Sequence, residues 1–214
     1  MHSKLARLQH APHKWSKPAY GKKLQYAPPS DNSDSIAQKG ITRSPSINRS
    51  FLYYGCAVDP TMLTTLNEIV TQKAKSTIAT EQKAQIMLMD FLATYPNAKL
   101  RYYAGDLKPQ VEIDAAYRVL SNARSRVTGD FYLTTYPTPN KSYPGHYNAP
   151  ILTQWHTLKN VVSSAADAQC GGIFHNCMIA IGIQNALEGM GHLQGRTKIV
   201  IINSTATSFV HSAM

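Results

Sequence analysis

Cysteine is scarce: Cys56, Cys170 and Cys177 are the only three among 214 residues, and no two of them stand at C-x-x-C spacing. An odd count without such pairs argues against a secreted disulfide scaffold and against a classical zinc module, so reduced thiols in an intracellular compartment are expected. Long apolar runs are also missing. Nowhere does the chain approach the ~20 apolar residues of a membrane span, and its first twenty residues mix His, Lys, Pro and Trp without an apolar stretch. Neither secretion nor membrane insertion is expected. The phosphate-cradling G-x-x-x-x-G-K, the nucleophile elbow G-x-S-x-G and the dinucleotide turn G-x-G-x-x-G do not occur, which removes support for those enzyme classes.

Acidic residues are in short supply too, 12 against 22 Lys and Arg, for a net charge of +10. The imbalance is local: residues 1–50 hold nine Lys or Arg and two Asp, and the remainder holds thirteen against ten. A basic excess of this kind, which includes Lys22 and Lys23, suits phosphates or an acidic surface, because each phosphate neutralised releases a counterion. The same segment reads equally well as a solvated basic linker. His2, His10, His13, Trp15, Tyr20 and Tyr26 interleave aromatic rings with those cations, a mixture able to stack on unpaired bases or simply to form a basic arm.

Hydrophobic composition of 43% is enough for a buried core beyond that segment. Pro12, Pro18, Pro28, Pro29 and Pro45 interrupt any periodicity over residues 1–50, which read as linker. Asp59 followed by Pro60 is a helix start, the carboxylate capping free N–H groups and the proline sitting where its missing donor costs nothing. Leu63, Leu66, Ile69 and Val70 then share a face, and Ala84, Met87, Leu88, Phe91 and Leu92 recur at helical spacing from Thr80 to Pro96. The two predict a helical hairpin over residues 59–95.

Past Pro96 the period changes. Residues 100–103, 111–117, 130–135 and 151–158 are strand-like. Residues 160–190 read as one long helix despite Gly171, Gly172 and Gly182, with Gly189 and Gly191 closing it. Residues 196–202 form a β-branched strand, and a further helix starts at residue 204.

The segments GITRSPSINRSFLYYGCAVDPTML, FLATYPNAKLRYYAGD, IDAAYRVLSNARSRVTGDFYL, NVVSSAADAQCGGIFHN and INSTATSFVH resemble, in order and spacing, the C-terminal part of copia-type retrotransposon reverse transcriptases. The resemblance covers nearly the whole chain. It implies an α/β fold, an RNase H-like mixed sheet flanked by helices, preceded by a helical hairpin and a basic irregular N-terminal segment. Its divisions would be a basic tether (1–50), a helical connection (51–98) and an RNase H-like domain (99–214) that lacks the terminal strand and helix. The activity implied is cleavage of RNA in RNA/DNA hybrids with Mg2+ or Mn2+. Nucleic acid and other retroelement polypeptides are the implied partners, with no membrane. No Y-x-D-D signature occurs, so polymerase activity is not expected.

Hydrolysis of this type uses two divalent metals about 3.5–4 Å apart, and such hard cations need clustered carboxylates. Asp114 matches the first carboxylate of the family pattern, which makes it the one expected catalytic and metal-binding residue. Where relatives carry the second, on the long helix, this chain has Gln169; where they carry the third, at the late strand's end, it has Ile202. Asp167 stands two residues before Gln169, which turns its side chain ~200° away on a helix. Hydrolysis is therefore not expected, and Gln169 and Ile202 are vestigial positions. Arg118, Arg124 and Arg126 flank the Asp114 strand, placed either for phosphate contact or as ordinary solvated arginines. Cys170, His175 and Cys177 invite a metal reading that helical geometry disfavours, since His175 falls away from the cysteines' face.

Overall fold

A computed structural model describes residues 8–13, 32–35, 38–71, 77, 86–120, 123–135, 148–201, 203 and 206–208. The chain divides into two compact units between Leu100 and Arg101. Among the described residues no helix is long and apolar enough to cross a membrane.

The first unit is helical: α1 (Gln38–Ala57), a 3-10 turn (Pro60–Met62), α2 (Leu63–Thr71) and α3 (Ile86–Thr94). Asp59 caps as its sequence position demands, its carboxylate accepting from the Thr61 N–H at 3.2 Å and the Thr61 hydroxyl at 2.5 Å. The capped turn is 3-10 before it relaxes into α2. Met62, Leu66, Ile69, Leu88 and Phe91 make the core, with Phe51, Tyr54 and Leu92 packed on it. Val70, expected on the same face as Ile69, is exposed instead, because ~100° of helical rotation carries it past the edge of the apolar stripe. Gly55 lets α1 approach α2, since a Cβ there would lie 3.1 Å from Leu63.

Irregular chain was expected through residue 50, yet α1 begins at Gln38 and contains Pro45. The proline forgoes one ladder hydrogen bond, and the packing of Phe51 and Tyr54 on the core supports the helix that follows.

The second unit is a four-stranded mixed sheet with one long helix: β1 (Lys108–Ala116), β2 (Arg126–Thr134), β3 (Leu152–Thr157), α4 (Ala165–Gly189) and β4 (Lys198–Ile201). Strand order is β3-β2-β1-β4, with β1/β2 and β2/β3 antiparallel and β4 parallel to β1. That makes the chain an α/β protein. A parallel β1/β4 pair requires a crossover, and α4 lies within it.

Val111 and Ile113 of β1, Phe131 of β2 and Ala180 of α4 form the buried core. Glycines set the helix-to-sheet distance at two places. A Cβ on Gly172 would lie 3.1 Å from Val127, and one on Gly129 would collide with the Asn176 side chain, which bonds Gly172 O and Thr128 O. Helix propensity disfavours Gly171 and Gly172, but close packing outweighs that weak local term. The helix closes at Gly191, whose φ of +90° lets the His192 N–H turn back to Leu187 O at 3.0 Å.

One strand expectation fails. Residues 100–103 are not a strand, and Tyr102 and Tyr103 are exposed. Asn148 supplies what a ladder would have supplied: its Oδ1 accepts from Tyr103 N at 2.7 Å, and its Nδ2 donates to Tyr103 O and Leu133 O at 3.0 Å each. A side chain thus satisfies backbone groups in a segment whose Leu and paired Tyr residues favour a strand. Beyond β4, residues 206–208 are helical, with Asn203 Oδ1 accepting from Ala206 N at 3.1 Å.

Candidate functional site

Asp114 stands near the end of β1, opposite Thr128 of β2, and is exposed. Its Oδ1 accepts from the Ala115 N–H at 2.8 Å and from Gln169 Nε2 at 3.1 Å. Gln169 belongs to the first turns of α4 and is only 3% exposed. The tertiary fold therefore brings Asp114 and Gln169, 55 positions apart in sequence, into direct contact. Gln169 Oε1 is buried and has no hydrogen-bond partner among the described residues.

Local chemistry at the start of α4 explains why Gln169 rather than Asp167 faces β1. Ser164 is the N-cap, with extended backbone and a hydroxyl accepting from Asp167 N at 3.1 Å. Asp167 returns the favour, its Oδ2 accepting from Ser163 N at 2.8 Å and Ser163 Oγ at 3.3 Å. This reciprocal cap satisfies helix donors and places an anion at the positive end of the helix dipole. Asp167 is exposed and held there, whereas Gln169, two positions on, is turned into the helix–sheet layer. Tyr117 ties the end of β1 to the same corner through its hydroxyl, which donates to Ser163 O at 2.9 Å.

Arg118 and Arg124 lie on the β1–β2 connection, and Arg126 is the first residue of β2. Arg118 adopts φ of +53°, donates its N–H to Ser125 Oγ at 3.1 Å, and holds its guanidinium 5.9 Å from the centroid of the Tyr117 ring. Arg124 is exposed, and its carbonyl accepts from Leu120 N at 3.0 Å. Arg126 opens β2 half-buried, its guanidinium 5.6 Å from the centroid of the Trp155 ring on β3. A cation over an aromatic face is a structural contact in its own right. Arg118 and Arg124 are thus exposed cations on the turn, and Arg126 shares its charge with Trp155.

Lys22, Lys23 and Ile202 lie outside the described residues. Among the described residues no group of three or more His, Cys, Asp or Glu is placed to hold a metal ion. His175 does not meet Cys170 or Cys177; its ring lies against His156 of β3, centroids 3.9 Å apart. Burial pushes the Cys177 thiol above its ordinary value, which disfavours the thiolate that a metal would need. The His156–His175 pair and the Arg126–Trp155 pair were not foreseen from sequence. Period-two alternation through β3 would have put His156 on one face and Trp155 on the other, but strand register supplies the partners. No protein-family model, no curated protein and no solved structure matches the chain.

Proposed function

We propose that the second unit is an RNase H-like domain of copia-type retroelement descent that no longer hydrolyses RNA/DNA hybrids. The observation carrying this reading is the hydrogen bond between Gln169 and Asp114. Where the family resemblance calls for two carboxylates sharing divalent metals, a neutral amide donates to the one carboxylate present. An amide N–H occupying Asp114 Oδ1 takes a lone pair that a Mg2+ or Mn2+ ion would use, and brings no charge to offset the ion's dehydration. Support also comes from the element order, three antiparallel strands, a helix and a strand returning parallel to the first, with Asp114 near the end of that first strand.

Arg118 and Arg124 favour a second, compatible reading, in which the unit retains nucleic-acid binding. Their exposure on the turn just past Asp114 suits phosphate contact, which needs charge but no metal. One experiment addresses both readings. The full chain is incubated with a labelled RNA/DNA hybrid and Mg2+ or Mn2+, and binding is followed as salt increases. The expected result is no cleavage, with binding that weakens on a log–log salt plot by about one unit of slope per phosphate contact. Cleavage abolished by Asp114→Asn would overturn the inactive reading. A binding constant indifferent to salt would remove the binding one.

A further inference from the structure

We propose that His156 and His175 together form a two-imidazole site for a borderline divalent transition-metal ion of the Zn2+ or Ni2+ kind, bridging β3 to α4. The pair stands apart from Asp114 and holds whether or not the nuclease reading holds.

Strand register puts His156 there. It pairs with Val127, which is fully buried beneath α4 and would touch any Cβ on Gly172. His156 therefore projects from β3 on the helix-facing side of the sheet. His175 lies three residues after Gly172, close to one turn, which sets it over the same edge of the sheet. The rings meet with centroids 3.9 Å apart and planes tilted by 48°. Zn–N bonds of 2.0–2.1 Å place two ligand nitrogens roughly 3.3 Å apart at a tetrahedral angle. Lone pairs that meet one ion at that angle hold the ring centroids about 5 Å apart, so the exposed His175 ring swings outward by roughly 1 Å about χ1 and χ2 to ligate.

Three further features suit a cation. His156 Nδ1 is buried and has no hydrogen-bond partner among the described residues, so a ligand bond there satisfies a group otherwise left at a cost. Burial, and secondarily the neighbouring His175, hold His156 below its ordinary pKa, so its ring is neutral and free to ligate near neutral pH. His175 is exposed, giving an ion a route from solvent and room to keep water in its other positions. Imidazole selects Zn2+ and Ni2+ over oxygen-seeking Mg2+. With two protein ligands the site is weaker than a structural zinc centre, and it stabilises the fold without being required for it.

The test is a calorimetric titration of the full chain with Zn2+, paired with urea unfolding at fixed free Zn2+. His175→Gln is the primary variant, since an exposed position tolerates the change, and His156→Gln is the second. The native chain is expected to bind one more equivalent than His175→Gln. Free Zn2+ at a hundred times its Kd is expected to raise the native folding constant about 100-fold, and Mg2+ to leave it unchanged. In His175→Gln that gain disappears while the metal-free midpoint stays close to native. Identical stoichiometry and affinity in the native chain and His175→Gln would overturn the proposal, as would a native chain that Zn2+ does not stabilise.

Discussion

Replacing Gln169 by a glutamate restores the charge that the family resemblance calls for, and the contact at 3.1 Å allows its effect to be estimated. The amide donor is lost, and a hydrogen bond to a carboxylate contributes about 1.5–3 kcal/mol. A second carboxylate also arrives beside Asp114. At ~4 Å between charge centres the repulsion is about 1 kcal/mol in bulk water and about 4 kcal/mol at the dielectric of a partly buried pair. Asp114 is exposed, so the lower end applies to both terms and the net loss is about 2.5 kcal/mol at neutral pH. Gln169→Met, similar in length and uncharged, loses only the hydrogen bond and is expected to cost about 1.5 kcal/mol.

Urea unfolding of the three proteins separates these contributions. Mutual repulsion between Asp114 and the introduced carboxylate raises the pKa values of the pair, so the deficit of Gln169→Glu shrinks as pH falls and one carboxyl takes a proton. Millimolar Mn2+ should shrink it as well, because a cation between two carboxylates turns repulsion into ligation. Equal stability of Gln169→Glu and Gln169→Met at neutral pH, with neither responding to acid or Mn2+, would refute the placement of Gln169 against Asp114.

Gly129→Ala drives a methyl into Asn176 and is expected to cost about 1–3 kcal/mol; adding Asn176→Ala should return part of that loss in a double-mutant cycle on urea midpoints. Because His156 titrates below its ordinary value of 6.5 in the folded chain, its contribution is complete above 6.5 and lost as pH falls through the depressed folded value; stability measured from neutral to acid should drop less steeply in His156→Gln. Asp59→Ala removes the cap on Thr61 N and should lower the stability of the helical unit by about 0.5–2 kcal/mol, read from helical ellipticity during thermal unfolding. An unchanged melt in Asp59→Ala would show that the cap is replaced by solvent.

Much of this protein is local and therefore legible in the amino-acid sequence. The Asp59–Pro60 start, the apolar spacing of Leu63, Leu66 and Ile69, the β-branched run ending at Ile201 and the glycine closure near residue 191 all act within a turn or a strand. Asp167 could be set apart from Gln169, because two residues on a helix point in opposed directions whatever the fold around them. Charge distribution was equally plain. Local pattern misled where tertiary partners outvoted it: residues 100–103 have the composition of a strand, yet Asn148 takes the backbone bonds of Tyr103, and α1 extends through Pro45 into what composition marked as linker.

Only the tertiary structure decided which side chains meet. The Gln169–Asp114 bond spans 55 positions, Arg126 lies over Trp155 through the β2–β3 register, and His156 faces His175 through the packing of α4 on that sheet. A sequence specifies the period and polarity of each element, but register and helix seating arise when distant segments compete to bury the same apolar area, a balance no single segment contains.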